Sequence, residues 1–315
     1  MHTVAQVQVN IDLARVRTNV AAIAKSTGVD VIAVVKSDAY GLGVRAIVEA
    51  IADLVAGWCV FSPDEANDVS KWNARSKPIL ILGPSTNEDA KELAKLRIRP
   101  SVWSVEEAKR LRLAKPVLCV DTGMRRFACP RENVDAVIAA GEIDEAFTHA
   151  TRIEYVKMLL SIVGDRGLRL HAAASALLDD SAARLDAVRP GLAMYRGAAK
   201  VSCRLIEIHR GGRPAGYSGF VAEHFGIILC GYSQGLCRGP CLINGQRRRV
   251  VEVGMQTAFV EIGAHDRNGD EVVLLGDGSL GGGLTEAEVA AAWDVSEQQV
   301  LRTLCGAGIR SYRGE

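Results

Sequence analysis

Lys36 closes an apolar, mostly β-branched run, Val31-Ile32-Ala33-Val34-Val35, within the stretch VIAVVKSDAYGLG. Such a run reads as a strand buried on both faces. Asp38, Gly41 and Gly43 then supply turn chemistry, and Val44, Ile47, Val48 and Ile51 recur at helical spacing. In a parallel α/β fold ligands bind at the C-terminal ends of strands, where a lone amine can be desolvated and made nucleophilic at neutral pH. The alternative is a solvated lysine in a strand-to-helix loop. Cys237 and Cys241, in CRGPC, form the only close cysteine pair. Their three-residue gap and the lack of a second Cys or His pair nearby argue against a metal site.

The elements that must position Lys36 follow a regular alternation. Residues 1–11 alternate loosely like a strand, and a helix is expected from about Leu13 to Ala24. Apolar strand-like runs then appear at Val31 to Val35, Trp58 to Phe61, Ile79 to Leu82, Ile98 to Val102, Val117 to Val120, Ala146 to Ala150, Leu168 to Ala172 and Val188 to Tyr195. Helix start signals fall between several of them: Ser62-Pro63 with Glu65, Thr86 with Asp89, and Ser104 with Glu107. Eight strands alternating with helices predict an α/β fold, a (β/α)8 TIM-like barrel over residues 10–200. An open doubly wound sheet would carry a glycine-rich phosphate loop that VVKSDAYGLG does not match. Beyond residue 200, Cys203 to His209, Phe225 to Cys230, Arg249 to Val253, Ala258 to Ile262 and Glu271 to Leu275 predict a mainly antiparallel β domain over 201–315, joined by the N-terminal strand 1–9. Thr285-Glu286-Ala287-Glu288 reads as a capping box for a helix to about Trp293, with a second from Val295 to Leu304.

Charge excludes some partners. The 38 basic and 37 acidic residues leave a net +1, which gives no footprint for nucleic acid and favours small metabolites. No run nears the roughly 18 apolar residues of a membrane span, and the N-terminus shows no signal-peptide pattern, so no membrane partner and a cytoplasmic location are expected. Eight cysteines scattered along 315 residues suit reduced thiols.

VVKSDAYGLG closely resembles the signature VVKADAYGHG around the cofactor lysine of the alanine racemases, the fold type III enzymes that use pyridoxal 5'-phosphate (PLP). The resemblance makes Lys36 the lysine that carries PLP and Tyr40 a phosphate contact; Leu42 replaces the usual histidine. DTGMRRFAC (Asp121 to Cys129) looks like DTGMGRLGF and makes Arg126 the arginine near the catalytic tyrosine and the substrate carboxylate. FTHA puts His149 at the family's active-site histidine. HAAASA resembles HxxNSA, aligning Ser175 with the phosphate-binding serine. VRPGLAMYRG is close to VRPGIALYG, implying that Arg189 meets the pyridine nitrogen and that Gly191 and Leu192 give backbone phosphate contacts. Taken singly, Arg126 also reads as a solvated loop charge and His149 as a core histidine. Position favours the site, because Lys36, Asp121, His149, Ser175 and Arg189 all fall at or just past predicted strand ends.

Racemisation needs two bases on opposite faces of one carbon. IILCGYSQG resembles IPIGYADG and makes Tyr232 the second base beside Lys36. A phenol, with a reference pKa of about 10, needs cationic neighbours for that task, and Arg126 and His149 are the candidates. In the family this tyrosine comes from the other subunit, so a homodimer with shared active sites is implied. VEVGMQTAFVEIG is like the GRVCMDQ segment, giving Met255 a substrate contact and Gln256 in place of aspartate. An arginine at the pyridine nitrogen keeps its own proton and limits electron withdrawal into the ring. Cys119 stands where the family often has a carbamylated lysine, and Gly306 where a phosphate-contacting tyrosine is usual. The implied function is interconversion of L- and D-alanine, supplying D-alanine for peptidoglycan. The alternatives are a racemase of another small amino acid such as serine, a catalytically weak homologue, or a non-catalytic PLP carrier, which would lack the β domain.

Overall fold

The computed structural model describes residues 7–164, 166–277 and 283–314; the part of the expected N-terminal strand before Val7 lies outside the described residues. Contacts divide the chain into two compact units. One comprises Val16–Ala39 and Gly43–Met194; the other comprises the described residues through Arg15, Tyr40–Leu42 and the chain from Tyr195 onward.

After β1 (Gln8–Asp12) come eight parallel strands that close into a barrel: β2 (Asp30–Val34), β3 (Gly57–Val60), β4 (Ile79–Ile81), β5 (Ile98–Val102), β6 (Val117–Cys119), β7 (Glu145–Ala150), β8 (Arg169–Ala173) and β9 (Ala187–Val188). Their side chains are almost all buried, as expected where helices cover the outside of a parallel sheet. The expected caps set the helices. Ser62 Oγ accepts from Glu65 N at 3.2 Å in a reciprocal capping box for the helix Pro63–Trp72, and Ser104 Oγ accepts from Glu107 N at 3.3 Å for Val105–Leu111. For the helix Ala90–Lys95 the cap is Asp89 rather than Thr86.

One expected strand is much shorter than its apolar run. The segment Val188 to Tyr195 leaves the sheet after Val188, because Pro190 has no N–H to give a ladder. Leu192–Tyr195 instead forms one helical turn, with Met194 N donating to Gly191 O at 2.9 Å.

The chain after β2 takes an unusual path. Ser37, Asp38, Ala39 and Tyr40 have φ of 55°, 57°, 52° and 58°, a full left-handed turn without a glycine. That conformation costs roughly 1–2 kcal/mol per residue, so its surroundings must over-determine it. Glu65 accepts from Ser37 N at 2.6 Å, Asp38 Oδ1 accepts from Val44 N at 2.7 Å, and Asp38 O accepts from Gly43 N at 3.0 Å. The amine-bearing residue therefore leads into a rigid turn.

In the second unit β10 (Ala199–Arg210), β11 (His224–Ile228), β12 (Gly239–Ile243), β13 (Gln246–Val253), β14 (Ala258–Glu261), β15 (Glu271–Asp277), β16 (Gly283–Leu284) and β17 (Ile309–Arg313) join β1 in one sheet of order β16-β15-β12-β13-β14-β11-β10-β1-β17. All pairings are antiparallel except β1 with β17. β10 also pairs with β15, so β15, β12, β13, β14, β11 and β10 form a closed ring. Thr285 and Ser296 cap the helices Glu286–Trp293 and Glu297–Cys305. All eight cysteines are free, and only Cys237 is exposed. Among the described residues no helix is long and apolar enough to cross a membrane.

Candidate active site

Lys36 follows β2 at its C-terminal end, where Val34 N donates to Pro190 O and Val35 N to Cys59 O, both at 2.9 Å. Arg126, His149 and Arg189 share this end of the barrel. Burial first, then the positive charges of Arg189, Arg126 and Lys36, push the His149 imidazole down to about 4. His149 is thus neutral at physiological pH, a ring among cations. The DTGM loop owes its shape to Asp121, whose Oδ1 accepts from Gly123 N at 2.8 Å and Arg125 N at 3.1 Å. Arg126 itself is exposed and has no hydrogen-bond partner among the described residues. Cys119 beneath it is buried, and burial pushes its thiol up to about 12, so it offers no anion to orient the arginine.

Arg189 is buried and tightly held. Nη1 donates to His171 O at 2.9 Å and to His171 Nδ1; Nη2 donates to Thr148 O at 2.6 Å and more weakly to Ala172 O at 3.5 Å. The guanidinium also lies 4.8 Å from the centre of the Phe147 ring. Its Nε–H takes no part in these contacts and remains available to a ligand. Ser175, in the turn after β8, accepts from Gly191 N and Ala193 N, both at 3.1 Å. Its own O–H donates to nothing among the described residues. A hydroxyl with an unspent proton, fixed at the start of a helical turn, suits a phosphate ester, and the free Nε–H suits a basic ring nitrogen. With the Lys36 amine, this donor set fits a phosphorylated pyridine aldehyde.

The other expected residues belong to the second unit. The Tyr40 ring packs 5.2 Å from that of Tyr195, while Tyr312 Oη donates to Leu42 O at 3.0 Å. Tyr232 and Met255 are 57% and 58% exposed and sit on adjoining turns: Tyr232 N donates to Gly254 O and Ser233 N to Met255 O, each at 2.9 Å. Gly231 permits this approach, since a Cβ there would collide with the carbonyls of Gly254 and Met255. Gly306 ends the helix Glu297–Cys305, and a Cβ on it would stand 2.7 Å from Arg302 Nη1. The arginine thus fills space beside it that a larger side chain would need.

Two polar residues here were not among the expected ones. His171 lies wholly buried between Arg189 and Glu145, with Nε2 2.8 Å from Glu145 Oε1. The signal was a carboxylate and an imidazole at buried positions of two strands of the barrel.

Residues 11–151 match the family profile described as "Alanine racemase, N-terminal domain", and residues 206–312 match "Alanine racemase, C-terminal domain". The alanine racemase of Pasteurella multocida is 30% identical over 299 residues, covering 78% of this chain and 82% of that protein. That of Deinococcus deserti is 28% identical, covering 93% and 95%. The biosynthetic alanine racemase of Pseudomonas aeruginosa superposes with a TM-score of 0.87 at 24% identity, over 98% of this chain and 99% of that one. A Bartonella henselae alanine racemase, solved with covalently bound pyridoxal phosphate, gives 0.85 at 20% identity over 98% and 99%. At such identities the solved structures speak for the fold, while the profiles and the Pasteurella relative carry the assignment: the chain belongs to the alanine racemase family of amino-acid racemases.

Proposed function

We propose that the chain interconverts L-alanine and D-alanine in the cytoplasm with PLP held at Lys36, supplying D-alanine for peptidoglycan. The observation that carries this reading is the donor set of one barrel rim: the Lys36 amine, the Ser175 hydroxyl, whose oxygen the amides of Gly191 and Ala193 hold while its proton is unspent, and the free Nε–H of Arg189. Tyr40, His149, Ser175, Gly191 and Leu192 would hold the cofactor with Lys36, and Arg126 and Met255 would contact the substrate. Bound PLP supplies an electron sink that acidifies the α-hydrogen of an attached amino acid. Lys36 takes or returns that proton on one face and Tyr232 on the other. Arg189, a guanidinium with no proton to give up, donates a hydrogen bond without acidifying the ring nitrogen. Neutral His149 adds bulk and a hydrogen-bonding ring without adding charge.

Tyr232 and Met255 are well exposed on one protomer, which suits side chains presented to a second copy of the chain. The reading therefore includes a homodimer in which Tyr232 of the partner subunit completes each site.

Two measurements test the proposal. Borohydride treatment of PLP-loaded protein should fix the cofactor on Lys36, and α-hydrogen exchange of L- and D-alanine in deuterated water should follow racemisation. Tyr232→Phe that racemises at the full rate refutes the second base. Cofactor fixed at Lys36 without any exchange favours a PLP carrier, and faster exchange of serine than alanine reassigns the substrate.

A further inference from the structure

β7 and β8 carry a line of polar groups through the apolar interior of the barrel. Glu145 and His171 are both buried, with Glu145 Oε1 2.8 Å from His171 Nε2. Across the ring, Arg189 donates to Nδ1 and to the His171 carbonyl. A neutral imidazole holds a single proton; a donor aimed at Nδ1 favours it on Nε2, and only an acceptor at Nε2 holds it there. The Glu145 carboxylate is that acceptor.

Glu145 is kept ionised from its other side. Arg99 and Arg169 both pair with it, and they reach the exposed carboxylates of Asp144 at 2.5 Å and Asp30 at 2.7 Å. Burial works against the Glu145 charge, yet His171, Arg99 and Arg169 together hold its carboxyl at about 2. Burial and the Arg189 charge push His171 down to about 4. Carboxylate, neutral ring and guanidinium is therefore the charge order at neutral pH. The Phe147 ring stacks on His171, centroids 5.4 Å apart and planes 5° from parallel, and resists rotation of the imidazole.

We propose that Glu145 is a positioning residue for Arg189: through His171 it fixes one ring tautomer, and that tautomer fixes the guanidinium plane that leaves Nε–H for the ligand. The part concerning the ligand rests on the proposed PLP function; the tautomer itself is a property of the chain without cofactor. A neutral amide at position 145 can either donate or accept, so the ring proton is free to move to Nδ1. Donor then faces donor, and the guanidinium turns away.

The test is nitrogen NMR of histidine-labelled protein without PLP at neutral pH, with His171 assigned by the signals lost in His171→Gln. The wild type should show one tautomer, protonated at Nε2, and Glu145→Gln a mixture. Arg99→Gln, which disturbs the same ion cluster but keeps the carboxylate, should retain the single tautomer. Loaded with PLP, Glu145→Gln should lose kcat by roughly 10- to 100-fold, as when other supporting contacts behind a site are removed, with KM for alanine nearly unchanged. A wild-type ring protonated at Nδ1 or mixed overturns the proposal, even if Glu145→Gln does not fold. So does a Glu145→Gln protein that keeps one tautomer, or an Arg99→Gln protein that scrambles it equally. Failure of Lys36 to take up PLP counts instead against the proposed function and leaves the tautomer result standing.

Discussion

Ser175→Ala isolates the proposed phosphate cradle. The hydroxyl oxygen receives the amides of Gly191 and Ala193 at 3.1 Å each, and its own proton is unspent. In the protein without cofactor the substitution removes two neutral hydrogen bonds, each worth about 0.5–1.5 kcal/mol net, so the stability loss should be about 1–3 kcal/mol before hydration of the amides offsets part of it. Towards a phosphate dianion the loss is of a charge-assisted bond, about 1.5–3 kcal/mol, while the two freed amides can turn to the anion and recover some of it. At about 1.4 kcal/mol per decade, the Kd for PLP should rise roughly tenfold, and at most about a hundredfold. The assay is an absorbance titration of cofactor-free protein with PLP, run in parallel with pyridoxal, which has the aldehyde and ring but no phosphate. Pyridoxal affinity should stay the same. Equal weakening for both compounds would place the effect in general disruption of the barrel, and no weakening for PLP would remove Ser175 from the cradle.

Stability should fall with acid in two stages. His149 and His171 are both held at about 4, below the ordinary 6.5, so between those values the unfolded chain binds protons that the folded one refuses. Near pH 5 each group costs about 1.2 kcal/mol per pH unit, giving a slope of about 2.4 for the pair; below pH 4.5 the Glu145 carboxylate, held at about 2, adds its own loss. Urea midpoints from pH 7 to 4 on cofactor-free protein check this, and His149→Asn should remove about half of the first slope. Gly231→Ala should force the Tyr232 turn away from the carbonyls of Gly254 and Met255 at a cost of about 1–3 kcal/mol. Racemisation should drop sharply while borohydride still fixes PLP on Lys36; an unaffected rate would mean that this turn need not hold its place.

The barrel was legible because its strands are short apolar runs with their own punctuation: Val31 to Val35, Ile79 to Leu82 and Val117 to Val120 all proved to be strands with one or two residues' adjustment. The last run misled because Leu192, Met194 and Tyr195 are as apolar as a strand, although Pro190 and Gly191 had already taken the chain out of the sheet. β12 was obscured by the Gly239-Pro240 start, which reads locally as a turn, and β17 because its partner is β1, some 300 residues away in sequence. The left-handed turn after Lys36 escaped notice for a different reason: Ser37, Ala39 and Tyr40 have no special liking for positive φ, and Glu65 with the carboxylate and carbonyl of Asp38 imposes it. Single motifs marked Ser175 and Arg189, whereas the link from Arg189 through His171 to Glu145 needs three neighbouring strands in register, which no local pattern encodes.

The ring formed by β10 to β15 has a consequence for how the protein behaves at high concentration. Six strands spend their backbone donors and acceptors on one another, so they offer little for a foreign strand to copy. Among the described residues, self-templating is left with the two ends of the sheet, β16 and β17, the latter carrying arginines at positions 310 and 313. Like-charge repulsion between copies guards the β17 side, a defence against clumping built from topology and two cations.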